Sequence, residues 1–140
     1  MPKSRDPQRI LETLLSAARA EGADAADALL VENISASVSY RLGKLEDIER
    51  SESADLGLRV FVGNRVAFVS SGDFSDDAIS ALPARALAMA RLAPEDKFAG
   101  LAPSDLLART IPALDLEDPN EPAAETLVAR ARDAEQAGDQ

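Results

Sequence analysis

A chain of 140 residues has the length of one domain, and its 46% hydrophobic content is that of a globular protein, although 27 of those residues are alanine and none is tryptophan. The 25 acidic and 15 basic residues give a formal charge of −10, which repels phosphate backbones and anionic lipid heads and so argues against nucleic-acid and membrane binding. Cysteine and histidine are both absent, which excludes disulfides, a thiol nucleophile, an imidazole base and a His/Cys zinc site.

Met1, Pro2, Lys3, Ser4, Arg5 and Asp6 contain no apolar signal-peptide run, and no stretch approaches the ~20 apolar residues of a membrane span. The cytoplasm is the expected location. Asp6 is a suitable N-cap, Pro7 fits the first helical position and Gly22 marks a helix end. Between them Ile10, Leu11, Leu14, Leu15 and Ala18 form one apolar stripe, with Arg9, Glu12, Thr13, Arg19 and Glu21 facing outward.

Residues 28–32 form a short apolar run consistent with a covered strand. Ile34, Ala36, Val38, Tyr40 and Leu42 then alternate with Ser35, Ser37, Ser39 and Arg41. Gly43 and Lys44 turn the chain into residues 45–51, where Glu46, Asp47, Glu49 and Arg50 leave only Leu45 and Ile48 to bury, as suits a strand near an edge. Residues 55–71 organise the rest. Leu56, Leu58, Val60 and Val62 alternate with Gly57, Arg59 and Phe61, and after a break at Gly63, Asn64 and Arg65 a second run follows, Val66 to Val69. The pattern predicts a central hairpin in an antiparallel sheet of about five strands.

Phe74, Ser75 and Ile79 have the spacing of a hydrophobic staple, with Asp76 and Asp77 in the first turn of the helix that follows. That helix runs through Leu82, Ala86, Leu87, Met89 and Ala90 to about Leu92. Pro83 lies inside it, at a cost of ~3 kcal/mol if unrelieved, and predicts a kink or restart. From residue 93 to 120, Pro94, Pro103, Pro112 and Pro119 punctuate apolar residues of no sustained period. A strap packed over the surface is expected, with a turn of helix at 104–108. Pro122 opens a last helix whose stripe of Leu127, Val128, Ala131 and Ala134 is narrow and has little to pack on unless more protein follows. The fold class is therefore α+β, with two long helices on one face of the sheet: a core domain over 1–92, then strap and helix over 93–140 leading toward a further C-terminal part.

Asp73, Asp76 and Asp77 lack the ligand spacing of a calcium loop and read as helix-capping residues. Arg59, beside Phe61, has the donors to bind a peptide carboxylate or a partner's acid, but a surface role in which its stem covers the sheet or it pairs with a neighbouring Glu explains it more simply. Ser35, Ser37, Ser39, Ser70 and Ser71 fit either a peptide groove or a solvated strand face. Arg59, Phe61, Arg41 and Ser70 are the candidates for peptide or partner contact. A catalytic acid would need a carboxylate in an apolar or like-charged niche, and nearly all of the acids sit at caps, helix surfaces and loops.

The order of these segments resembles the N-terminal domain of the TldD/PmbA family. The likeness rests on Arg41-Leu42-Gly43-Lys44-Leu45-Glu46, then Gly57-Leu58-Arg59-Val60-Phe61-Val62-Gly63, then Asp73-Phe74-Ser75. Pro94-Glu95-Asp96, Ala99-Gly100-Leu101-Ala102 and the stretch from Pro112 to Pro119 resemble the PmbA (TldE) branch more than the TldD branch. The resemblance implies a subunit of a heterodimeric cytoplasmic protease assembly that acts on unfolded peptides, including leader peptides and some antitoxins. It also implies that zinc belongs to the TldD-like partner subunit, in a His-Glu-x-x-x-His helix plus a Cys, and that a PmbA-like chain needs no cofactor of its own. Pro83 departs from the family's uninterrupted helix. The family's older label, modulator of DNA gyrase, suggests DNA, against which the charge of −10 argues. The expected role is a non-catalytic one in subunit pairing and in forming the substrate chamber, with an open reading frame beyond Gln140. The alternative is a free-standing protein- or peptide-binding module without a protease role, whose gene ends at Gln140 and whose last helix packs on its own sheet.

Overall fold

The computed structural model describes residues 6–138. Met1 to Arg5, on which the reading against a signal peptide partly rests, and the end at Asp139 and Gln140 lie outside the described residues. The elements in order are α1 (Pro7–Ala20), β1 (Ala25–Arg41), β2 (Lys44–Val62), β3 (Arg65–Ser71), α2 (Asp76–Leu92) and α3 (Ala124–Gly138). The described residues up to Glu32 form one compact unit with Ser53–Leu107, and those from Asn33 to Glu52 form a second with the residues from Ala108 onward.

The first unit contains the core. Asp6 caps α1 by accepting the Gln8 N–H, and Ser75 caps α2 by accepting that of Ala78. Phe74 and Ile79 are both buried on either side of that cap, which anchors the chain entering the helix. Helix α1 packs on α2, and α2 packs on β3. The sheet runs β1-β2-β3, with β2 and β3 antiparallel and Leu58 opposite Val69, Val60 opposite Ala67. Those four residues join Leu56, the α1 stripe of Ile10, Leu14 and Ala18, and the α2 residues Leu82, Ala86, Leu87 and Ala90 in one cluster. Each large side chain fully buried there contributes about 1.5–3 kcal/mol.

The expected five strands are three. Residues 28–32 and 34–41 fuse into β1, with Leu42 in the turn that follows, and 45–51 joins the first arm of the central hairpin as β2. Only Asn33 separates the first pair of runs, and Glu52, Ser53 and Ala54 lie in the second gap. Neither gap holds a glycine or proline, so the polar residues there keep the backbone donors a ladder needs. The restart expected at Pro83 does not occur, and α2 is one helix with Pro83 fully buried inside it. Its ring fills core volume, which offsets the hydrogen bond lost to the Ile79 carbonyl.

Two tight turns connect the strands. Gly63 has a φ of 56° between Val62 and Arg65, and Leu42 and Gly43 have φ of 51° and 72°. The segment after α2 clasps the first of these turns: the Asp96 N–H donates to Asn64 O at 2.7 Å, and Arg65 donates to Arg91 O at 3.0 Å and pairs with Glu95. Beyond the clasp the expected strap is not packed down. Ile111 and Leu116 are 87% and 85% exposed, and where a turn of helix is expected at 104–108 there is one turn closed by Leu106 N–H on Pro103 O. Apolar residues without a period have no common face to bury.

In the second unit the 33–52 ribbon meets α3. Glu135 accepts the Gly43 N–H at 2.9 Å, and Arg50 pairs with Glu121 and Glu52. Leu127, Val128 and Ala131 are half-buried and α3 has no fully buried residue, as its narrow stripe predicts.

Candidate functional site

The β2–β3 register that buries Leu58 and Val60 turns the intervening residues to the other face of the sheet. There Gly57 lies opposite Ser70, Arg59 opposite Phe68 and Phe61 opposite Val66. β1 adds Asp27, which binds the Arg59 guanidinium at two points: Nε donates to Oδ1 at 2.8 Å and Nη2 donates to Oδ2. The guanidinium also lies 5.3 Å from the Phe61 ring centre and 5.8 Å from that of Phe68. The hydrogen bonds to Asp27 raise the Arg59 pKa above its ordinary value, against a smaller desolvation effect.

Beside this pair is an open cleft of about 600 Å³. Gly57 forms its floor, Leu29 and Phe68 its apolar walls, and Asp27, Arg59 and Ser70 its polar rim. Phe68 is 64% exposed and Leu29 equally so, which leaves apolar surface open at the cleft. The cleft offers apolar contact, a fixed charge pair and a serine with no histidine to activate it, a set of groups suited to binding.

Three of the four sequence candidates come together here and one does not. Arg59 and Ser70 rim the cleft. Phe61 shares their face but is only 3% exposed, so it supports the guanidinium from beneath. Arg41 lies in the other unit, paired with Glu46 at 2.8 Å. The acid that holds Arg59 is Asp27, not a glutamate. Leu29 and Phe68 carry no sequence signal of this role, and the signal for Asp27 is that it is a lone charge in the run Ala25 to Leu30.

Zinc does not fit the residues present. The sequence has no His or Cys, and among the described residues no group of three or more acids is arranged to hold a metal ion. The acids with shifted pKa are engaged in local turns. Asp73 accepts the Ser75 N–H at 2.8 Å and is held below the usual carboxylate range by that bond, and Asp118 is lowered in the same way by Asn120.

Fold and face together define an α+β sheet domain whose sheet packs against helices on one face and carries the Arg59 cleft on the other. Residues 26–90 match the family described as PmbA/TldA metallopeptidase domain 1, and the chain belongs to the TldD/PmbA family, as an N-terminal domain of its PmbA branch. It is 37% identical over 133 residues to Metalloprotease PmbA of Escherichia coli O157:H7, a match covering 93% of this chain and 30% of that protein. It is 35% identical over 101 residues to the Metalloprotease PmbA homolog of Haemophilus influenzae, covering 72% of this chain and 22% of that one. The chain thus spans less than a third of the length of these relatives. A solved structure from Bacteroides thetaiotaomicron, described as a proposed modulator of DNA gyrase, matches 76% of the chain and 24% of its own length with a TM-score of 0.69 at 16% identity, a likeness of fold.

Proposed function

We propose that this domain is a non-catalytic part of a PmbA/TldE-like subunit in a TldD/TldE-type zinc metallopeptidase assembly, where it pairs subunits and walls the chamber that holds unfolded or leader peptides. The observation that carries this reading is the open cleft walled by Leu29 and Phe68, in a chain that has neither imidazole nor thiol. Such a face suits contact with another polypeptide. Zinc and the hydrolytic step belong to a TldD-like partner, and the assembly works in the cytoplasm. No helix among the described residues is long and apolar enough to cross a membrane.

The test is a cleavage assay with zinc and an unfolded peptide, run on this chain, on a TldD-like subunit and on the two together. Cleavage that needs the TldD-like subunit, and rises when this chain is added, supports the proposal. Specific cleavage by this chain alone refutes it.

A further inference from the structure

We infer that the outer edge of β1 between Asn33 and Tyr40 receives an extended basic peptide segment as an added strand. β1 is an end strand of the sheet, 17 residues long. Among the described residues, no backbone hydrogen bond from outside the sheet reaches positions 33–40. Edge strands of this length are ordinarily guarded by proline, lysine or inward-pointing charge. Residues 33–40 contain no proline and no charge. The opposite edge differs: β3 pairs only with Leu56 to Val62, and the part of β2 before that pairing carries Lys44, Glu46, Asp47, Glu49 and Arg50, the charges that guard an edge.

Charge selects the occupant. The described part of the second unit holds eleven acidic residues against six basic ones. Three of its cations are already paired, Arg41 with Glu46, Arg50 with Glu52 and Glu121, and Arg132 with Asp133. Asp47 and Glu49, on the strand next to β1, are exposed and have no ion-pair partner among the described residues. A second copy brings the same excess of negative charge to the edge and is repelled, whereas a lysine-rich segment is attracted. Ser35, Ser37 and Ser39 are small, so side chains of an added strand meet little steric selection on that face, and main-chain hydrogen bonds supply the affinity. This goes beyond the proposed function and does not depend on it, since it needs neither a zinc subunit nor cleavage.

The experiment titrates the full chain into three labelled peptides of about ten residues. One alternates lysine with valine and threonine, the second replaces lysine with glutamate, and the third is the lysine peptide N-methylated at alternate residues. The lysine peptide is expected to bind saturably and to weaken with added salt, and the glutamate peptide not to bind. N-methylation is expected to cost at least about tenfold in affinity, because it removes the main-chain donors along one edge. Absence of saturable binding, equal binding of the glutamate peptide, or no loss on N-methylation overturns the inference. So does sedimentation that shows the chain pairing with itself and excluding the lysine peptide.

Discussion

Arg59 on β2 reaches across the sheet to Asp27 on β1, 32 positions earlier, and the two-point pair they form rests against the rings of Phe61 and Phe68. The pair fixes the rim of the cleft. Because both side chains are more than a third exposed, solvent screens it, and its worth is that of a surface pair of good geometry, about 1 kcal/mol with the ring contacts included. Urea denaturation of Arg59→Ala, Asp27→Ala and the double variant measures this. The two losses should be less than additive, and Arg59→Lys should recover little, because an ammonium cannot make the planar two-point bond. Strict additivity would show that the pair is not coupled.

Leu42 is a bulky residue with a φ of 51° and is 84% exposed, so it carries the cost of left-handed backbone and contributes no burial in return. Leu42→Gly or Leu42→Asn should raise the thermal midpoint, by an amount equivalent to about 1 kcal/mol. An unchanged or lower midpoint would mean that the side chain is held by contacts made elsewhere.

The contrast between core and strap is large. Leu14 is fully buried between helices and sheet, and truncation to alanine should cost about 2–5 kcal/mol in chemical denaturation. Leu116→Ala should change stability by less than about 0.5 kcal/mol, since that side chain is already in solvent. Comparable losses from the two would show that the strap packs down in solution.

Asp73 gives a pH signature. Its folded pKa is depressed by the Ser75 N–H, so its contribution is present above the ordinary carboxylate value of the unfolded chain and is lost as pH falls through the lower folded value. Asp73→Ala should therefore lower the thermal midpoint near neutral pH, and the gap to the native chain should close in acid. A gap that stays constant with pH would assign the effect to the turn geometry and not to the charge.

Much of this architecture is legible in the sequence because it is local. Asp6 with Pro7 marks the start of α1, Gly63 marks the hairpin, and Phe74 with Ile79 brackets a helix start; each signal lies within a few residues of the feature it specifies. The full strand lengths are hidden in the sequence because Asn33 and the Glu52–Ser53 pair are polar, while breaking a ladder takes a missing donor or a special φ, and neither is present there. The cleft was half legible. Alternation placed Arg59, Phe61 and Ser70 on suitable positions, but Asp27 joins them only through the pairing of β1 with β2, which no local pattern reveals. The near-complete burial of Phe61 has no local signature either, and Arg41 belongs to the part of the ribbon that folds with α3.

The central claim, that the cleft face pairs this chain with a zinc-bearing subunit, is tested most directly by co-purification of a TldD-like subunit with the native chain and with Phe68→Glu. Phe68 is largely exposed, so the substitution leaves the fold intact while placing a charge on the apolar wall. The account predicts a stable complex with the native chain and its loss with the variant, whose thermal midpoint stays close to native. A variant that pairs as well as the native chain, or a native chain that does not pair at all, would contradict it.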